Sequence, residues 1–92
     1  MLKEIIEYLE SEVEGFGFIK VCYLDDLYAV RYNNTNSGSM WLTGFMLKIK
    51  MSTGNDYTTS YNIDIRNNDS LPKLVEILKK HKKMREDLLE AH

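Results

Sequence analysis

Ninety-two residues, 43% hydrophobic and 28% charged, suffice for one domain with one modest core. A single cysteine excludes an internal disulfide, and a formal net charge of −2 argues against the strongly basic surface of many nucleic-acid binders. No run approaches the roughly 20 apolar residues of a membrane span, and MLKEIIEYLESEVE lacks the basic and apolar regions of a signal peptide, so a cytoplasmic setting is expected.

Residues 2–13 predict a helix, because Leu2, Ile5, Ile6, Leu9 and Val13 recur at helical spacing and Gly15 supplies a stop. Strands follow over 16–24 (FGFIKVCYL) and 27–33 (LYAVRYN), joined at Asp25-Asp26. A two-residue turn there would pair Tyr23 with Tyr28, Val21 with Val30 and Ile19 with Tyr32 on a core face. The other face would set Cys22 opposite Ala29 and Lys20 opposite Arg31. NNTNSGS, 33–39, has the composition of a polar, mobile loop. One long strand is expected over 40–51, a turn over 52–56, and a cleanly alternating strand over 57–65. Setting Met51 opposite Tyr57 pairs odd positions with odd positions. NNDS, 67–70, ends the sheet, with Asp69 or Ser70 as helix cap and Pro72 in the first turn of a helix over 71–90. Leu74, Ile77, Leu78, His81, Met84 and Leu88 form its stripe.

The sum is an α+β, two-layer α-β-β-β-β-α domain spanning 1–92. Its four-stranded antiparallel sheet is expected to carry the N- and C-terminal helices on one face. The stretch 38–51, GSMWLTGFMLKIKM, is apolar on both faces of a single strand at its start. That reading puts Met40, Leu42, Gly44, Met46, Lys48 and Lys50 on the uncovered face. Thr58, Ser60, Asn62, Asp64 and Arg66 lie across the hairpin, and Lys20, Arg31, Cys22, Ala29, Leu24 and Leu27 come from the first one. Such an apolar patch is covered by the 33–39 loop or a helix long enough to reach both faces, by a second copy of the chain, or by a foreign protein.

Residues that carry chemistry are sparse. Gly15-Phe16-Gly17 lacks the third glycine and the following helix of a dinucleotide site. Cys22 is a lone thiol, His81 sits on an apolar helical stripe and His92 is terminal, so no nucleophile–base pair, metal set or cofactor site is expected. The reading is therefore non-catalytic. Charge is uneven: residues 1–46 hold 3 basic and 7 acidic side chains, and residues 47–92 hold 9 and 7. The acidic end, with Glu7, Glu10, Asp25 and Asp26, suits a basic protein surface. Together with Met40, Leu42, Met46, Asn62, Asp64 and Arg66 of the open face, and with the 33–39 loop as a further contact element, it forms the expected partner-binding set. The alternative is nucleic-acid binding through Lys20, Arg31, Lys48 and Lys50 with Lys79, Lys80 and Lys83 of KKHKKMR, although Glu86, Asp87 and Glu90 dilute that run.

The helix–strands–helix order resembles the double-stranded RNA-binding domain. That family has three strands and a basic start to its second helix, where this chain has Ser70-Leu71-Pro72-Lys73-Leu74 with one lysine, and the likeness is rejected. In size, modest acidity and lack of catalytic motifs the chain resembles small accessory proteins of phages and mobile elements, including anti-defence inhibitors. That resemblance implies a protein partner in a host cytoplasm.

Overall fold

The computed structural model describes residues 2–21, 27–52 and 58–90. The elements are α1 (Leu2–Glu12), β1 (Phe16–Lys20), β2 (Leu27–Tyr32), β3 (Thr35–Thr43), β4 (Met46–Ser52), β5 (Thr58–Asp64) and α2 (Ser70–Glu90). The class is α+β, but the sheet has five strands rather than four, in the order β1-β2-β3-β4-β5. Every neighbouring pair is antiparallel. No described helix is long and apolar enough to cross a membrane.

Two turns create the extra strand. Asn33 and Asn34 have φ of 49° and 65°, the paired positive values of a type I′ hairpin turn. The segment 33–39 is therefore not a loop: it is a tight turn followed by the start of β3. The second break falls at Gly44-Phe45, inside the stretch read as one long strand. Gly44 has φ of 59°, which a glycine adopts without steric cost. Thr43 pairs with Met46 across this two-residue turn, and Leu42 with Leu47.

That turn explains why 38–51 is apolar at both parities. Partners across an antiparallel pair share a face, so even positions of β3 join odd positions of β4. Met40 and Leu42 thus lie with Leu47, Ile49 and Met51 toward the helices. A bulge assists: Ser37 is the extra residue between the Arg31–Asn36 and Val30–Gly38 pairs. Without it Met40 would slip to the other face. Met40 is fully buried, so its expected place on the uncovered face is wrong, and Leu42 packs half-buried against the core.

The first hairpin also differs. The Val21 N–H donates to the Leu27 carbonyl at 3.0 Å, so the connection is longer than two residues. Phe18, not Val21, lies opposite Val30, a shift of three positions. An odd shift turns a strand over. Phe16 and Phe18 therefore face the core, while Ile19 is 49% exposed. Arg31 lies opposite Gly17, and Lys20 opposite Tyr28, so the two cations do not oppose each other. Asp25, Asp26, Cys22, Leu24 and Tyr23 lie outside the described residues, as do Tyr57 and His92. In the last hairpin Met51 pairs with Thr59 instead of Tyr57, a shift of two positions that leaves every face as expected.

The core lies between this face and the two helices. Leu2, Ile5, Ile6 and Leu9 of α1 and Leu74 and Leu78 of α2 are buried in one cluster with Val30, Met40, Leu47, Ile49 and Ile63. Two polar ties fix α2 on the sheet. The Tyr32 hydroxyl donates to Glu86 Oε1 at 3.0 Å, and burial, then Glu86, raises that phenol's pKa. Tyr61 OH and His81 Nε2 share a 3.0 Å hydrogen bond, with the rings edge-on at 87°. Burial, then Lys80 and Arg85, lowers the pKa of His81, which makes it a neutral core histidine. At the helix start the Asp69 carbonyl accepts the Lys73 N–H, which makes Asp69 the cap.

Gly38 is required for close approach: a Cβ there would run into the Lys50 carbonyl of the neighbouring strand, whereas a Cβ at Gly17 meets nothing within 4 Å. Gly38→Ala is expected to cost about 1–3 kcal/mol by overpacking, and Gly17→Ala to leave stability nearly unchanged. Urea unfolding of the two variants beside the parent checks this; equal midpoints for both would contradict the register at the bulge.

Candidate functional site

The side of the sheet away from the helices is the candidate surface. Reading across the strands, Leu27, Trp41, Lys48 and Asn62 form one row, and Ala29, Ser39, Lys50 and Ser60 the next. Ile19 extends the second row on β1, and Thr43, Met46 and Asp64 form a row beyond Trp41. Trp41 thus stands on the middle strand of the sheet, directly opposite Leu27 on one side and Lys48 on the other. A shallow cavity of about 220 Å³ beside it is lined by Trp41, Lys48, Lys50, Ser60 and Asn62.

At one end of this face the Gly44-Phe45 turn projects. Phe45 is 52% exposed and Met46 37%. The guanidinium carbon of Arg66 lies 4.7 Å from the centre of the Phe45 ring. The same guanidinium donates twice to Asp64, Nε to Oδ1 at 3.0 Å and Nη2 to Oδ2 at 2.7 Å, and the Arg66 backbone N–H donates to Oδ1 at 3.0 Å. These hydrogen bonds, the side-chain ones foremost, pull the Asp64 pKa from 3.8 to about 2. The result is a two-point fork–carboxylate pair with an aromatic ring against the guanidinium.

Electrostatically the face is basic inside an acidic chain. It carries Arg31, Lys48 and Lys50, while its carboxylate, Asp64, is neutralised by Arg66. Arg31 donates to the Asn34 carbonyl, which holds it against the hairpin turn. Glu7 and Glu10 are exposed on α1, on the helix side of the sheet, and do not join Met46 and Trp41 in one surface. Asn62, Asp64, Arg66 and Met46 do come together as expected; Met40 and Leu42 do not. The cations of the alternative reading divide. Lys48 and Lys50 project from the sheet face, Lys79, Lys80 and Lys83 from α2, and Lys20 sits exposed at the end of edge strand β1.

Sequence reasoning does not single out Trp41, Phe45 and Ile19. Trp41 shares a parity with Phe45 and Leu47, and that parity points to the core only if 40–51 is one strand. The glycine at position 44 is the one local signal of the turn that reverses this assignment. Among the described residues no three His, Cys, Asp or Glu side chains lie together as a metal set. Comparison with protein-family models, with curated proteins and with solved structures finds no match to this chain. The surface can offer apolar contact at its centre and cationic or amide hydrogen bonds around it.

Removing the clamp should be visible at its carboxylate. Because the folded-state pKa of Asp64 is depressed, its contribution to stability is present above about pH 4 and is lost as pH falls toward about 2. In Arg66→Gln the guanidinium bonds are lost while the backbone N–H of residue 66 still donates to Oδ1, so the Asp64 carboxyl is expected to titrate clearly above 2 but still below its ordinary 3.8. Carbon-detected NMR titration reads this directly, and an unchanged low value in the variant would show that Arg66 is not the cause.

Proposed function

We propose that this chain is a small non-catalytic protein-binding module that acts on a larger protein through its open sheet face, as an inhibitor of the phage or mobile-element accessory, anti-defence type. The observation that supports this most is the composition of the uncovered face. Ile19, Trp41, Phe45 and Met46 supply apolar area, and Lys48, Lys50, Asn62 and the Asp64–Arg66 pair stand around them. Aromatic side chains, methionine and arginine are enriched in protein interfaces, with polar groups at the rim. Flat strands present such a surface without the ordering cost of a loop. The turn at Asn33-Asn34 replaces the loop as a contact element, and Arg31 braces it from below.

A second reading, nucleic-acid binding, is favoured by one observation: Trp41 is flanked by Lys48 and has Lys50 on its diagonal. An aromatic side chain beside cations is what a stacking platform needs. Against it, Lys79, Lys80 and Lys83 lie on α2, away from Trp41, and α1 contributes exposed Glu4, Glu7 and Glu10.

The test uses Met46→Lys combined with Trp41→Thr. Both residues are on the open face, so thermal stability is expected to stay within about 1 kcal/mol of the parent. The tagged parent should retain a defined protein from cell lysate in stoichiometric amount, and the double variant should lose it. Fluorescence anisotropy with single- and double-stranded DNA and RNA runs in parallel. Tight nucleic-acid binding at physiological salt, with a steep salt slope, would replace the protein-contact reading with the second one.

A further inference from the structure

The edge of the sheet at β5 carries features that open-face contact does not use. An edge strand presents unpaired backbone N–H and C=O groups, and proteins commonly blunt such edges with lysine, proline or bulges. β5 reads Thr-Thr-Ser-Tyr-Asn-Ile-Asp, with no lysine, no proline and a regular register against β4 over its whole length. The opposite edge, β1, is shorter and ends in Lys20. The Ile65 N–H donates to the Phe45 carbonyl on the β4 side at 2.9 Å. Backbone groups alternate along a strand, so the odd residues of β5 bond β4 and the even ones point outward. Ser60 and Asn62 therefore aim their N–H and C=O groups away from the sheet.

Beside that edge runs a groove of about 950 Å³, between β5 and α2. Tyr61, Ile63 and Ile77 line it with apolar atoms. Its walls hold Lys73, Lys79, Lys80 and Lys83 against one carboxylate, Glu76. Lys73 is bridged to Asp69 at 3.1 Å, while Lys79, Lys80 and Lys83 have no ion pair with a described residue. A strand-shaped backbone edge, an apolar floor and a cationic wall thus lie within one groove.

We propose that this groove takes an extended acidic segment of a partner protein, which adds to β5 as a sixth strand. Main-chain hydrogen bonds to Ser60 and Asn62 supply register. Every second side chain of the segment then faces α2. Apolar ones among these reach Ile77 and Tyr61, and carboxylates among them meet Lys79, Lys80 and Lys83. A second copy of this chain is a poorer occupant. Pairing β5 with β5 about a two-fold axis would bring two sets of α2 lysines together. The groove borders the open face at Ser60 and Asn62 but includes neither Trp41 nor Met46, whose substitution tests the other reading, so the two readings fail separately.

The probe is a fluorescein-labelled decapeptide with threonine at every second position and valine and glutamate by turns at the others. The same peptide with lysine for glutamate is the control. The acidic peptide is expected to raise anisotropy and to slow amide hydrogen exchange at Ser60 and Asn62. Lys80→Glu with Lys83→Glu should weaken it about tenfold or more. Ser60→Pro removes one outward N–H without touching the bonds to β4 and should abolish binding while the melting temperature stays near the parent's. Trp41→Thr should leave peptide binding unchanged. Any of three results overturns the proposal: no binding of the acidic peptide, equal binding of the basic one, or binding that leaves Ser60 and Asn62 exchange unaltered. A concentration-dependent dimer that Ser60→Pro dissolves would likewise overturn it in favour of a second copy.

Discussion

The two-residue turn at Gly44 and Phe45 decides which side of the sheet each side chain from Gly38 to Met51 occupies. Antiparallel partners share a face, so this turn joins the even residues of β3 to the odd residues of β4. Met40, Leu47, Ile49 and Met51 are all fully or almost fully buried as a consequence. They form the centre of the surface on which Leu9, Leu74 and Leu78 of the helices rest. Moving the turn by one residue would invert one strand of the pair and expose its apolar set. The bulge at Ser37 carries the same constraint into β2, where Tyr28 meets Met40.

Once the core claims one side, the residues left on the other follow without further choice. Trp41, Met46, Lys48 and Lys50 lie there because they alternate with core residues. The clamp of Arg66 on Asp64 and Phe45 fixes the end of the same face. The backbone beneath this surface is held by strand pairing on both sides of β3 and β4. Backbone held in this way lowers the ordering cost of any contact made on that face.

Much of the fold is legible in the sequence, and the exceptions have physical causes. The helical stripes of Leu2, Ile5, Ile6 and Leu9 and of Leu74 and Leu78 are read correctly because a buried helix face leaves a 3.6-residue signature. β5 is read correctly because Tyr61 and Ile63 alternate with Asn62 and Asp64. Its register is off by two, and an even error keeps faces intact. In β1 the error is three, and an odd error exchanges them: Ile19 turns outward and Phe18 enters the core. The stretch 33–39 misleads because asparagine, serine and glycine suit both a loop and a type I′ turn entering a bulged strand. Gly38, whose hydrogen side chain lets the Lys50 carbonyl approach, reads locally as a loop residue. Sequence reasoning puts Met46, Asn62, Asp64, Lys48 and Lys50 on the uncovered face, where the register also places them, while Met40 and Leu42 turn to the core. Trp41 is missed because its placement depends on a turn marked by one glycine.

The proposed contact surface rests on this assignment of faces, and the methionines report it. Met40 and Met51 are buried and Met46 is 37% exposed. With the methyl groups of methionine carbon-13 labelled and a soluble paramagnetic agent added, the Met46 signal should broaden strongly while those of Met40 and Met51 persist. Broadening of Met40 together with Met46 would mean that 40–51 runs as a single strand with an apolar outer face, and it would remove Trp41 from the site.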